Sequence, residues 1–114
     1  MAKFFGFAVS DRMFDGDVLI KRESMTVAEM QQELLKGGVA SCLNPGHQAT
    51  VDAAVHRYGL SVEVPEHPAD VELHHGDVLL VMTVTGLGRL LGRHEYTEEE
   101  ISSAKFKFAR YTVL

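Results

Sequence analysis

The run Val78-Leu79-Leu80-Val81-Met82-Thr83-Val84-Thr85 constrains this chain more than any other stretch. It follows a Gly76-Asp77 turn and is apolar at positions of both parities. A strand with one wet face alternates apolar and polar residues, because successive side chains point to opposite faces. A run without that alternation must be covered on both sides, which places it in the middle of a layered sheet. The rest of the chain has to supply its neighbours and its cover.

Candidate neighbours are easy to find. Lys3-Phe4-Phe5-Gly6-Phe7-Ala8-Val9 reads as a second central strand and Val39-Ala40-Ser41-Cys42-Leu43 as a buried one. Asp17 to Arg22 is a short strand, and Lys105 to Val113 alternates aromatic and polar residues as a closing strand does. Thr26-Val27-Ala28-Glu29 has capping-box spacing and predicts a helix to about Lys36, with Val27, Met30, Leu34 and Leu35 on one stripe and Gly37-Gly38 as the stop. Val51, Ala54, Val55 and Tyr58 recur at helical spacing and predict a helix from Gln48 to Tyr58, closed by Gly59. Thr97-Glu98-Glu99-Glu100 starts a short capped helix. Ser61 to His75, with Pro65 and Pro68, reads as loop, edge strand or both. The expectation is a single α/β domain over 1–114, a mixed sheet of about five strands flanked by helices.

Composition narrows the function classes. A hydrophobic share of 46% with 24% charged residues belongs to a folded chain, not a disordered one. Neither an apolar leader nor a run long enough to span a bilayer is seen, so no membrane association and a cytoplasmic location are expected. A net charge of −5 with scattered Lys and Arg argues against a grip on long nucleic acid. A phosphate-bearing ligand would therefore be small and locally held. Cys42 is the sole cysteine; it excludes an intramolecular disulfide and reads as packing. His67, His74 and His75 make a poor metal set, since adjacent residues of an extended segment point apart and no His-Glu-x-x-His spacing occurs. No metal and no cofactor are expected.

The chemistry concentrates at Pro45-Gly46-His47-Gln48-Ala49-Thr50, between a strand and a helix. A helix start offers backbone N–H groups and the positive end of the helix dipole. An imidazole there can move a proton near neutral pH. A histidine in a first helical turn is more often a tolerated polar residue, so the neighbouring loops matter. Ser10 to Met13 and the Gly86 to Arg93 loop also follow strands, and parallel strands would gather all three loops at one sheet edge. His47 would then supply the proton, Arg89 and Arg93 would pair with phosphate oxygens, and Ser10 would complete the cradle. Surface arginines more often stay solvated. His56 lies nine residues after His47, on the opposite side of the helix, and cannot share its site.

On these residues the chain resembles the small viral ring nucleases that act as anti-CRISPRs against type III systems. The likeness is carried by Ala8-Val9-Ser10 with Met13 after the first strand, by Gly46-His47 followed by Thr50, and by Arg89-Leu90 ahead of Glu100-Ile101. It spans nearly the whole chain. The resemblance implies a homodimer that binds a cyclic oligoadenylate, typically cyclic tetra-adenylate, and cleaves it without metal through the ligand's own 2′-hydroxyl. His47 would be the catalytic residue; Ser10, Met13, Gly46, Gln48, Ala49, Thr50, Arg89 and Leu90 would bind the ligand. The alternative is a protein that sequesters the ring uncut. The chain departs from the family's pattern at Phe7, where an asparagine is common, and at Gly92, where a glutamate is common; Glu95 is a candidate substitute.

Overall fold

A computed structural model describes residues 2–43, 45–87 and 96–114. Its five-stranded sheet has the order β2-β5-β4-β1-β3. The strands are β1 (Lys3–Gly6), β2 (Ile20–Met25), β3 (Val39–Ser41), β4 (Val78–Thr85) and β5 (Lys105–Val113). The helices are α1 (Val27–Leu35), α2 (Gln48–Tyr58) and α3 (Glu98–Ser103), with single 3-10 turns at Asp11–Met13 and Pro45–His47. β1 lies parallel to both β3 and β4, while β5 runs antiparallel to β4 and β2. This is the mixed α/β sheet that the sequence predicts.

β4 sits in the middle, as its two-sided apolar pattern requires. Its residues divide by parity. Val78, Leu80 and Met82 join Phe5 and Phe108 in one core, covered by Met30 and Leu34 of α1 and by Val51 and Ala54 of α2. Leu79 and Val81 join Val113 in a second core, covered by Met13, Phe14, Val71 and Leu73. One face is thus roofed by helices and the other by irregular chain.

That division explains the long irregular stretch after α2. Leu60, Val62 and Val64 pack on the helix side. Val71 and Leu73 pack on the other. Between them the Ala69 amide donates to the Ser41 carbonyl at 3.1 Å, so the segment wraps the outer edge of β3. Covering an edge strand in this way blocks pairing with another chain.

Several boundaries differ from the sequence reading. β1 stops at Gly6 rather than Val9, because β3 ends alongside Phe5. β3 is short and half-exposed, ending at Ser41 rather than Leu43, since it lies at the sheet edge and not inside it. β2 runs from Ile20 to Met25, not Asp17 to Arg22, because pairing Met25 with Phe108 buries the methionine while Lys21, Arg22 and Glu23 stay exposed or half-exposed on an edge strand. Leu35 is 67% exposed: one further step of about 100° carries it off the face that Leu34 buries. Both capping boxes form. Thr26 Oγ1 accepts from the Glu29 amide at 3.1 Å and Thr97 Oγ1 from the Glu100 amide at 3.2 Å, with each glutamate accepting in return at 2.9 Å.

Candidate functional site

The parallel β3, β1 and β4 end at Ser41, Gly6 and Thr85 on the same edge of the sheet. From that edge the described chain continues as the segment from Phe7 to Met13, as the turn at Pro45–His47 and as Gly86-Leu87, the starts of the polar stretches singled out in the sequence. Ligands of open α/β sheets bind outside such carboxyl ends.

His47 lies at the junction between the 3-10 turn Pro45–His47 and α2. Its backbone, at φ −95° and ψ 3°, is in the bridge region that connects a turn to a helix. The side chain does not cap α2, and the first turn of α2 carries no acidic residue. In this α2 differs from α1 and α3, whose starts are closed by Thr/Glu boxes. The Phe7 ring stands nearly perpendicular to the imidazole, at 83° with centroids 4.7 Å apart. Phe7 itself packs against the helix-side core, which ties the imidazole to the rigid part of the fold.

A cleft of about 280 Å³ opens here, and His47, Thr50, Phe7, Val84, Leu87 and Tyr96 are among its lining residues. His47 and Thr50 of the sequence-predicted set therefore share one cavity. Ser10 and Met13 do not line it. They border a separate cavity of about 600 Å³ with Arg12, Cys42 and Glu72. The Ser10 side chain accepts from the Arg12 amide at 3.4 Å, and Met13 packs on the second core, so both are engaged in building the 3-10 turn. Cys42 Sγ donates to the Phe5 carbonyl at 3.0 Å, and burial pushes its thiol up from the ordinary value, as suits a packing residue. Arg89, Leu90, Arg93, Gly92 and Glu95 lie outside the described residues. Leu87 and Tyr96, which bracket that stretch, both line the His47 cleft.

A groove of about 380 Å³ adjoins this cleft. It runs between α2 and α3, lined by Ala49, Asp52, Ala53, His56 and Tyr96 among others. Tyr96 borders both cavities. Arg57 fastens the far end of α3: its Nη1 donates to the carbonyls of Ile101, at 3.0 Å, and Ala104. His56 faces α3 and not the His47 cleft, as the helical spacing requires. Sequence reasoning missed Tyr96 as a lining residue; the available signal was its place immediately before the Thr97 cap.

Another cavity, about 670 Å³, lies beside β3 under the wrapping segment, with Gly37, Gly38, Ser41 and His67 among its residues. It flanks the sheet instead of crowning the strand ends. His74 is exposed and 3.6 Å from Glu72. No group of three or more His, Cys, Asp or Glu placed to hold a metal ion occurs among the described residues. No described helix is long and apolar enough to cross a membrane.

No family model and no curated protein sequence matches the chain. Its fold is nevertheless shared. B116 of Sulfolobus turreted icosahedral virus superposes with a TM-score of 0.72 at 15% identity, covering 98% of this chain and 99% of that one. At that identity the likeness establishes the fold.

Proposed function

We propose that this protein is a ring nuclease, which binds a cyclic oligoadenylate and cuts it by internal transesterification. The observation that carries the reading is the position of His47: at the junction of a 3-10 turn and α2, on a cleft, at the carboxyl edge of three parallel strands. A fold shared over nearly its whole length with a virus protein agrees with the viral family that the sequence resembles.

The ligand's 2′-hydroxyl attacks the adjacent phosphorus in line with the bond to the 5′-oxygen. The 2′-O–P bond forms as the P–O5′ bond breaks, and the 2′-hydroxyl proton passes to solvent. His47 protonates the departing 5′-oxygen. The products are linear adenylates ending in a 2′,3′-cyclic phosphate. The amides at the start of α2 favour the phosphate oxygens, and Arg89 pairs with them. A two-fold dimer would present two such sites to a two-fold ring. Loss of the ring would silence a type III CRISPR response in the host cytoplasm.

A second reading, a protein that holds the ring uncut, is favoured by Phe7. Where the family commonly has an asparagine, an apolar ring stands against the imidazole and offers no hydrogen bond. One experiment separates the two. Cyclic tetra-adenylate is incubated with the protein and with His47→Ala in the presence of chelator, and products and binding are followed. Cleavage by the parent that the variant loses supports the nuclease; binding without cleavage selects the sequestering protein; a parent that binds no ring of any size removes both.

A further inference from the structure

We propose that Gln48, pinned by Asp52, reads the adenine of the nucleotide next to the phosphate at His47, and that the α2–α3 groove receives that base. The inference rests on the nucleotide-binding reading above and adds to it the element that selects the base.

The groove and the His47 cleft meet at Tyr96, so a ligand seated at His47 has an adjoining space for one of its parts. Ala49, Asp52, Ala53 and His56 fall at i, i+3, i+4 and i+7 and form one face of α2. The two alanines keep that wall shallow. Asp52 and Glu98 give the groove a negative lining. A phosphate is repelled by that charge, whereas an uncharged base bearing an amino donor is not. Charge alone therefore sends the phosphate to the start of α2 and the base to the groove.

Gln48 lines neither cavity itself and reaches the groove through Asp52, one of its lining residues. Its Nε2 donates to Asp52 Oδ1 at 2.7 Å, one helical turn on. An ionised carboxylate only accepts, so the amide nitrogen must be the atom that faces it, and the carboxamide cannot turn over. The second N–H hydrogen and Oε1 then form a donor beside an acceptor in fixed order. Adenine's edge offers the complement, the N6 amino group beside N7, and a glutamine carboxamide pairs with it through two hydrogen bonds. A 6-oxo purine puts an acceptor where Gln48 needs a donor. Gln48 immediately follows His47, which is why the base it reads flanks the phosphate at the imidazole.

The test compares cyclic tetra-adenylate with cyclic tetra-inosinate, which exchanges the 6-amino group for an oxo group and keeps N7. Affinities are measured by calorimetry for the parent, Gln48→Ala and Asp52→Asn, with circular dichroism to confirm that each variant is folded. The parent should prefer the adenylate ring by roughly five- to a hundred-fold. Gln48→Ala should weaken the adenylate ring and leave the inosinate ring nearly unchanged, so that the preference collapses. Asp52→Asn, which no longer dictates the orientation of the carboxamide, should retain binding with a reduced preference. A preference unchanged in Gln48→Ala, or a parent that binds both rings equally, overturns the inference while the nucleotide reading stands. A parent that binds neither ring overturns both.

Discussion

The two ends of the sheet are built differently. At the amino end, Asp77 is only 7% exposed, and its carboxylate accepts from the amides of Ala2 and His74, each at 2.9 Å. Backbone bonds from Val78 to Ala2 and from Gly76 to Val113 close the same corner. Nearby, Glu33 of α1 is 9% exposed and is clasped by Lys3 at 3.1 Å, Lys36 at 3.3 Å and Arg110 at 3.4 Å. At the carboxyl end the strands run out into polar loops, α2 begins without a side-chain cap, and an aromatic ring stands beside His47. A sheet organised this way fixes its frame at one end and leaves the candidate site at the other. Changes at the two ends should therefore separate stability from function.

The largest effect should come from His47→Ala. If His47 is the general acid of the proposed reaction, its loss should slow cleavage of cyclic tetra-adenylate by about 10²- to 10⁴-fold. The melting temperature should stay close to the parent's, since the side chain does not cap α2. Single-turnover assays beside thermal melts check both halves; a large drop in melting temperature would mean that the imidazole belongs to the frame.

Asp77→Ala should do the converse. Two backbone donors lose their acceptor, at about 1–3 kcal/mol for buried groups left unsatisfied, while ring binding persists. The substitution should also change the response to acid. The hydrogen bonds from Ala2 and then His74 hold the Asp77 carboxyl below its ordinary value. The unfolded chain therefore takes up a proton first as pH falls. Stability from this group is full above about pH 4 and is lost as pH drops through the depressed folded value. Glu33, lowered chiefly by its hydrogen bond with Lys3, slopes in the same direction. Denaturant titrations between pH 2 and 7 or so should show a shallower acid limb for Asp77→Ala than for the parent; parallel limbs would place the depressed carboxyl elsewhere.

The same contrast explains what the sequence disclosed. The frame was legible because its signals are local: the two-parity run of β4, the Thr26 and Thr97 boxes and the stop at Gly59 each dictate structure within a few residues. Edges were not. Whether Val39–Ser41 lies inside the sheet or at its rim depends on which strand stands beside it, and the wrap of 59–77 around that rim is a long-range arrangement. The candidate site was legible only as a set of loops expected at strand ends, because parallel strands gather the segments that follow them. Its division was not: Ser10 and Met13 follow β1 only a few residues after Phe7, yet Met13 packs on the second core and both border a cavity separate from the His47 cleft. Tyr96 went unnoticed because a lone aromatic before a cap has no periodicity to mark it.

The smallest effect is also the most discriminating, because it applies one substitution to two helix starts that support different things. Thr26→Ala and Thr97→Ala remove the same kind of cap, and each should cost about 1 kcal/mol. Thr26 starts α1, whose glutamate Glu33 sits in the charge cluster of the frame. Thr97 follows Tyr96, which borders both the His47 cleft and the α2–α3 groove. Matched losses in melting temperature should therefore be accompanied by weaker binding of cyclic tetra-adenylate in Thr97→Ala alone, since fraying the start of α3 releases the wall that Tyr96 provides. Fluorescence-anisotropy titrations of the two variants decide the matter. Equal affinities would show that Tyr96 keeps its place without the cap, and the groove would then have to be held by the Arg57 clasp on the carbonyls of Ile101 and Ala104 at the other end of α3.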